Sequence, residues 1–292
     1  SKEFENFLRF ERNLSKNTIS SYLADLKKLI DYLRLKNINY NPNQISTDLI
    51  REFLYSQSKK IKSSTQGRLI SSLNLFFDFM ILEKIIVENP LEKIDYPKIG
   101  TSIPTTLTTK EIDSLIAEAG LNKNNGLRNK TIIEVLYSCG LRVSELIDLK
   151  ISDLFLDENL IKVLGKGNKE RFVPVSKTAK KLIVEYIESI RNFKKIKKGH
   201  EDTLFINNRG QKLTRVMIYT ILNNLANHIG LKKKISPHVL RHSFATHLIE
   251  NGADIISIQK MMGHENIVTT EKYLHVKNKH LIDSVLKYHP RS

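Results

Sequence analysis

Apolar residues recur every three or four positions through the first ninety residues, a spacing that predicts packed helices. Ile19, Tyr22, Leu23, Leu26, Ile30 and Leu33 form one stripe behind the cap candidates Ser15 and Asn17. Leu49, Ile50, Phe53 and Leu54 form a second behind Thr47, and Leu69, Leu73, Phe76, Phe77 and Met80 a third. Each stripe reads as core, because such helices bury their apolar faces against one another. Between Asn89 and Thr108 the pattern stops: Pro90, Pro97, Pro104, Gly100 and a Thr/Ser cluster predict a linker. Helices resume behind Thr108-Thr109-Lys110-Glu111, a capping-box pattern, and residues 126–150 read as two helices broken at Cys139-Gly140.

From Asp153 to Val175 the period changes to that of strands. Leu154-Phe155-Leu156, the turn Asp157-Glu158-Asn159 and Leu160-Ile161-Lys162-Val163 predict a hairpin, and Arg171-Phe172-Val173-Pro174-Val175 returns as a third strand. Further helices are expected near 176–192, 213–229, 236–251, 254–262 and 268–287. The fold class expected is mainly α with a small antiparallel β-sheet.

Composition narrows the function classes. The chain has 292 residues, room for one large domain or two ordinary ones, and 40% hydrophobic with 27% charged residues is a globular balance. No apolar run approaches a membrane span, and Ser1-Lys2-Glu3-Phe4-Glu5 does not read as a signal peptide. The single Cys139 leaves no internal disulfide and suits a reducing cytoplasm. Lys and Arg number 47 against 31 Asp and Glu, for a net charge of +16. Residues 1–100 carry 16 basic against 12 acidic groups, and residues 101–292 carry 31 against 19. A polyanionic partner fits that excess, since each Lys or Arg on a phosphate releases a condensed counterion. The clusters Lys194, Lys195, Lys197, Lys198 and Lys232, Lys233, Lys234 read equally as phosphate contacts or as solvated surface.

The chemistry gathers in the last sixty residues. Ser236 as N-cap and Pro237 at the first helical position start a helix whose first turn carries His238 and Arg241 on one face. The positive end of the helix dipole and a guanidinium make an anion site there. His238 and His242, four apart with His247 near, also have a zinc-helix spacing, but no acidic or thiol ligand accompanies them. Gly263-His264 and Tyr273 follow. Upstream, Arg142 stands just after the helix break with Glu145 three residues on, and Lys166 tops the predicted hairpin between Gly165 and Gly167. Each group alone has a bland reading as a cap, an ion pair or a packing residue. Together they supply what a tyrosine needs to attack a phosphodiester: charge stabilisers, a base and an acid.

This set, in this order, resembles the tyrosine recombinase (phage integrase) family, and within it the bacterial Xer branch. The likeness extends through Gly165-Lys166-Gly167-Asn168-Lys169-Glu170-Arg171, Leu240-Arg241-His242-Ser243-Phe244-Ala245-Thr246-His247-Leu248, Asn251-Gly252-Ala253-Asp254, Tyr273-Leu274-His275-Val276 and His289-Pro290-Arg291, and covers essentially the whole chain. The resemblance implies a helical core-binding (SAM-like) DNA-binding domain over 1–88, a linker over 89–107 and a tyrosine recombinase catalytic domain with a helical tail over 108–292. Two domains on a linker suggest a clamp around the duplex.

The resemblance implies these roles. Tyr273 attacks the scissile phosphate and forms a 3′-phosphotyrosyl link; Arg142 and Arg241 clamp the non-bridging oxygens; His264 donates a further hydrogen bond. Lys166 protonates the 5′ leaving oxygen, and His238 assists proton removal from Tyr273. Glu145 matches the family's acidic position, orienting Arg142 or His238. Lys16, Asn17, Thr18, Arg68, Lys169 and Arg171 match DNA-facing positions, while Asn74 stands where relatives often carry Arg. No cofactor and no metal is implied. The implied partners are double-stranded DNA with a dif-like recombination site, a synaptic tetramer with a second Xer recombinase, and an FtsK-type translocase, at the nucleoid in the cytoplasm. Chromosome dimer resolution is the cellular role implied. An integrase or transposase of a mobile element shares every catalytic residue; the absence of an added N-terminal arm-binding domain favours Xer over lambda-type integrases, though small integrases and transposon recombinases also lack one. A type IB topoisomerase lacks such a core-binding domain, and an inactive accessory protein would not need all six groups. Leu281, Ile282, Val285 and Leu286 suit the tail for docking in its own subunit or a neighbour.

Overall fold

The computed structural model describes residues 2–36, 44–97, 105–122, 124–165, 167, 169–263 and 283–291. The chain divides into two compact units, residues 1–102 and 103–292. As expected, the fold is mainly α with one three-stranded antiparallel sheet.

In the first unit, α1 (Lys2–Asn6) runs into a π-helical turn (Phe7–Glu11), followed by α2 (Lys16–Leu35), α3 (Thr47–Ser58) and α4 (Ser63–Leu82). Ser15 caps α2 through the Thr18 N–H. The α3 cap is a correction: Ser46, not Thr47, has the extended backbone and accepts from the Leu49 N–H at 3.3 Å. The three expected stripes meet in one core around Leu26, Leu29, Ile50, Phe53, Leu69, Leu73 and Phe77, to which Phe4, Phe7 and Leu8 add an aromatic end. Asp25 is wholly buried in α2, where Arg68 of α4, Lys28 and the Ser72 hydroxyl neutralise and bond it.

The second unit opens with α5 (Thr109–Gly120), whose expected capping box forms between Thr108 and Glu111. Next come α6 (Gly126–Ser138), α7 (Val143–Asp148), a 3₁₀ turn (Ile151–Asp153), β1 (Leu154–Phe155), β2 (Leu160–Leu164) and β3 (Glu170–Pro174). β2 pairs with both neighbours, in a register that sets Leu154 opposite Ile161 and Lys162 opposite Phe172. Alternation buries Ile161, Val163 and Val173, and the β2–β3 hairpin closes with Gly165 N–H donating to the Lys169 carbonyl at 2.8 Å. The chain continues as α8 (Lys177–Ser189), a 3₁₀ turn (Arg191–Phe193), α9 (Arg215–His228), α10 (Pro237–Glu250) and α11 (Ile255–Met262). α8 ends short of the expected 192 because Arg191 turns inward to bond the Thr203 and Glu201 carbonyls. α6 is buried along most of its length and forms the centre of this unit. No described helix is long and apolar enough to cross a membrane.

Of the expected tail helix, 283–288 is helical, while 268–282 with Leu281 and Ile282 lies outside the described residues. Residues 283–291 dock on the chain's own second unit. Val285 and His289 are buried, Asn251 donates to the Tyr288 carbonyl at 2.8 Å, and Arg291 pairs with Asp113. The His289 ring lies against Tyr137 at 4.7 Å and Phe244 at 5.4 Å, near His247 and Arg291, and Arg291 in turn stands 3.7 Å from Glu134. Burial first, then His247 and Arg291, push its imidazole from 6.5 down to about 3. The folded protein therefore refuses a proton that the unfolded chain accepts, and this group's contribution to stability falls as pH drops below 6.5 towards 3. Within that window the slope is on the order of 1.4 kcal/mol per pH unit. Buried Glu134, pushed up by desolvation, acts in the opposite sense in both proteins compared. Urea midpoints from pH 7 to 5 should therefore fall less steeply for His289→Gln than for wild type; parallel slopes would contradict a neutral buried imidazole.

Candidate active site

The site begins at the break after α6. Gly140 has φ 58°, and a side chain there would drive into the Phe244 ring, so only glycine fits. The turn presents the Gly140 carbonyl to Arg241, whose Nη1 donates to it at 2.6 Å. Arg241 is buried on α10, started as expected by the Ser236 cap and Pro237. Two residues past Gly140, Arg142 is the N-cap of α7, and Glu145 on the first turn reaches back to it. Glu145 Oε2 accepts the Arg142 backbone N–H at 2.8 Å and Oε1 accepts Arg142 Nη1 at 2.9 Å.

Glu145 is the centre of the cluster. Its side chain is 1% exposed, and Arg171 of β3 grips it with both terminal nitrogens, Nη1 to Oε1 at 2.8 Å and Nη2 to Oε2 at 2.9 Å. Arg241 Nη1 stands 3.8 Å from Oε2. The same three arginines hold the C-terminal end of α11 by three successive backbone carbonyls. Arg171 Nε donates to Met261 O at 2.9 Å, Arg241 Nη2 to Met262 O, and Arg142 Nη2 to Gly263 O at 3.1 Å. Cations at the negative end of a helix dipole are favourable, and the last carbonyls of a helix have no intrahelical donor. Gly263 closes α11 in the left-handed conformation at φ 61°, and a Cβ there would come within 3.1 Å of the Arg171 guanidinium.

Three guanidiniums around one carboxylate leave an excess of positive charge, a setting for an anion. Burial and the Arg142 charge push the Arg241 guanidinium down to about 10 against the pull of Glu145, so it stays protonated at neutral pH. Arg142 is the most accessible of the three at 29% side-chain exposure, against 13% for Arg171 and 7% for Arg241. His238 is exposed at the start of α10 and lines an open cavity of about 430 Å³ with Lys234, His242, Tyr219, Ser236 and Thr105. His247, the third histidine of the zinc-like spacing, is turned away and shares a 2.8 Å hydrogen bond with the Tyr137 hydroxyl.

Glu145 is placed on Arg142, and its hydrogen bonds and ion pairs run to the arginines and the Arg142 N–H rather than to His238. Arg171, expected to face DNA, has all three of its nitrogens hydrogen-bonded inside the protein. Arg68 is likewise committed to Asp25 and to the Ser21 carbonyl. Lys233 bonds the Thr106 carbonyl and Glu111, and Lys194 bonds Asn208, so neither is a freely solvated cation. Lys16 and Asn17 are exposed at the start of α2, Thr18 bonds Ser15, and Lys169 is exposed on the hairpin. Asn74 is bonded to Tyr96 and Asn89. Lys166, His264 and Tyr273 lie outside the described residues.

Residues 105–280 match the phage integrase family model, and residues 2–84 match the model of the phage integrase N-terminal SAM-like domain. The chain is 43% identical to the tyrosine recombinase XerD of Oceanobacillus iheyensis over 292 residues, covering all of this chain and 98% of the relative. Among solved structures it resembles the XerA recombinase, with 30% identity, TM-score 0.52 and coverage of 100% and 98% of the two chains. It shares its fold with a XerH site-specific recombinase bound to a palindromic difH substrate, at 24% identity, TM-score 0.74 and coverage of 98% and 81%.

The Glu145 cluster predicts an acid limit to stability. Burial pushes this carboxyl up, but the Arg171 hydrogen bonds and charge, with the Arg142 N–H and guanidinium, outweigh it and hold it below 4.5. A carboxyl depressed on folding contributes stability that is present above its unfolded value and is lost as pH falls through the folded one. The stability gap between wild type and Glu145→Gln should therefore stay constant from pH 7 to about 5 and narrow only below about 4.5. A gap that closed between pH 7 and 5 in urea titrations would be inconsistent with a carboxylate held by guanidiniums.

Proposed function

The chain belongs to the phage integrase family and is a tyrosine recombinase, a site-specific DNA-cutting and rejoining enzyme, and from that premise we propose a mechanism and a cellular role for it. The observation that carries the mechanism is the arginine cluster. Arg142 and Arg241 are fixed by Glu145, Gly140 and the end of α11, and each terminal nitrogen that bonds there carries a second hydrogen for a ligand. These two residues clamp the non-bridging oxygens of the scissile phosphate, where charge builds as the tyrosine oxygen attacks.

Tyr273 is the nucleophile. Its oxygen bonds to phosphorus while the bond to the 5′ oxygen breaks, leaving a 3′-phosphotyrosyl enzyme and a free 5′-hydroxyl. An unperturbed phenol titrates near pH ~10, so at neutral pH its proton must pass to a base. His238, exposed on the rim of the open cavity, takes it. Lys166, between Gly165 and Gly167 on the β2–β3 hairpin, protonates the departing 5′ oxygen. His264 follows Gly263 in the chain, whose carbonyl is tied to Arg142, and adds a hydrogen bond to the phosphate. The phosphotyrosyl link keeps the phosphodiester energy, so a 5′-hydroxyl from another duplex reverses the step and completes strand exchange.

Residues 1–88 form the core-binding domain, with Lys16, Asn17 and Thr18 toward DNA, 89–107 the linker and 108–292 the catalytic domain, with Lys169 as a backbone contact. Full-length likeness to a XerD protein supports a Xer-type role in chromosome dimer resolution at a dif-like site, in a tetramer with a second Xer recombinase and under an FtsK-type translocase in the nucleoid.

A suicide DNA substrate that traps the covalent intermediate tests the chemistry. Wild type should form an adduct that Tyr273→Phe cannot form, and Arg241→Ala should cleave on the order of 10²–10³-fold more slowly. An adduct with Tyr273→Phe, or near-normal cleavage by Arg241→Ala, would sink these assignments. Lys166→Ala should be slow on a normal phosphodiester and recover on a 5′-bridging phosphorothiolate, whose leaving group needs no proton. Without that recovery the general acid lies elsewhere.

A further inference from the structure

We propose that Arg171 is a positioning residue for strand cleavage: by occupying the bidentate face of Glu145 it keeps Arg142 turned toward the phosphate, and it does so without touching DNA. The inference rests on the reading of Arg142 as a phosphate clamp. A carboxylate and a guanidinium prefer to pair through two parallel hydrogen bonds. Glu145 makes that pairing with Arg171, through both oxygens and both terminal nitrogens. Arg142 is left with one side-chain bond to Oε1, its backbone N–H on Oε2, and its other terminal nitrogen on Gly263 O. It is thereby held end-on, with the greatest exposure of the three arginines. Remove Arg171 and the fork-to-fork position on Glu145 falls vacant beside Arg142. The nearer guanidinium can then rotate into it and withdraw its outward edge.

The surroundings fit this use of Arg171. It lies on β3 opposite Val163 of β2, and its third nitrogen, Nε, holds Met261 O. Its guanidinium sits between two glycines: a Cβ at Gly165 would meet Nη1 at 3.2 Å, and one at Gly263 would meet the guanidinium carbon at 3.1 Å. One side chain thus ties the loop end of the hairpin, α7 and the end of α11 at a single point. The charged groups facing Glu145 are Arg142 at the start of α7, Arg171 from β3 and Arg241 from α10.

The test compares Arg171→Met and Arg171→Lys with wild type, alone and with Glu145→Gln, for adduct formation on the suicide substrate, DNA affinity and its salt dependence. Arg171→Met should form adduct on the order of 10–100-fold more slowly, the loss expected when a reacting group is displaced by about an ångström. DNA affinity and the slope of log K against log salt should match wild type. In the Glu145→Gln background the same substitution should cost less than about 3-fold, because the carboxylate it acts through is gone. Arg171→Lys, which keeps the charge but not the fork, should also be slowed with binding intact, and it carries the test if the methionine variant does not fold. A salt slope reduced by about 0.9 would instead make Arg171 a phosphate contact and overturn the proposal. So would wild-type adduct rates, or losses that multiply in the double variant. Absence of adduct in wild type, by contrast, would remove the recombinase mechanism itself.

Discussion

One buried carboxylate organises the catalytic unit. Glu145 is surrounded by guanidiniums from the start of α7, from β3 and from α10, and those same guanidiniums hold the backbone at the end of α11. Taking a carboxylate and several guanidiniums out of water is unfavourable by several kcal/mol per ion unless the geometry satisfies nearly every donor and acceptor. Here both carboxylate oxygens accept two bonds each. The arrangement is asymmetric in charge: three cations share one anion, and what remains is a standing attraction for a phosphate. Specificity of position and readiness for an anion arise from the same set of bonds.

Around that hub the unit is built in layers of decreasing burial. α6 fills the centre with apolar side chains, and the Gly140 turn that ends it redirects the chain so that Arg142 and Glu145 emerge at its edge. Phe244 of α10 packs against that turn, which sets Arg241 one helical turn away in reach of the Gly140 carbonyl. Packing and chemistry are thus joined through a glycine: the aromatic ring that excludes any side chain at 140 belongs to the helix that carries the second arginine.

Much of this is legible in the sequence. Helical periodicity locates α2 to α11, the alternation from Leu154 to Val175 locates the sheet, and the Thr108 capping box and Ser236-Pro237 start stand where expected. The misses have local reasons. Adjacent Ser46 and Thr47 are both competent caps, and only the backbone angle distinguishes them. The opening Phe4 and Phe7 form too short a segment to show a period. The ion pairs of Arg171 and Arg68 escape the sequence because each carboxylate partner is distant along the chain. That partner lies 26 residues away for Arg171 and 43 for Arg68. No one-dimensional pattern encodes a carboxylate shared by Arg142, Arg171 and Arg241, or the capture of carbonyls 261 to 263.

That capture is made entirely with peptide oxygens. The arginines hold Met261, Met262 and Gly263 through atoms that every residue possesses, so the identities of side chains 261 and 262 are free to drift for packing alone. What cannot drift is the count. Inserting or deleting one residue in α11 would rotate its last carbonyls by about 100° and carry all three away from their donors together. This corner of the protein is therefore governed by length more than by composition.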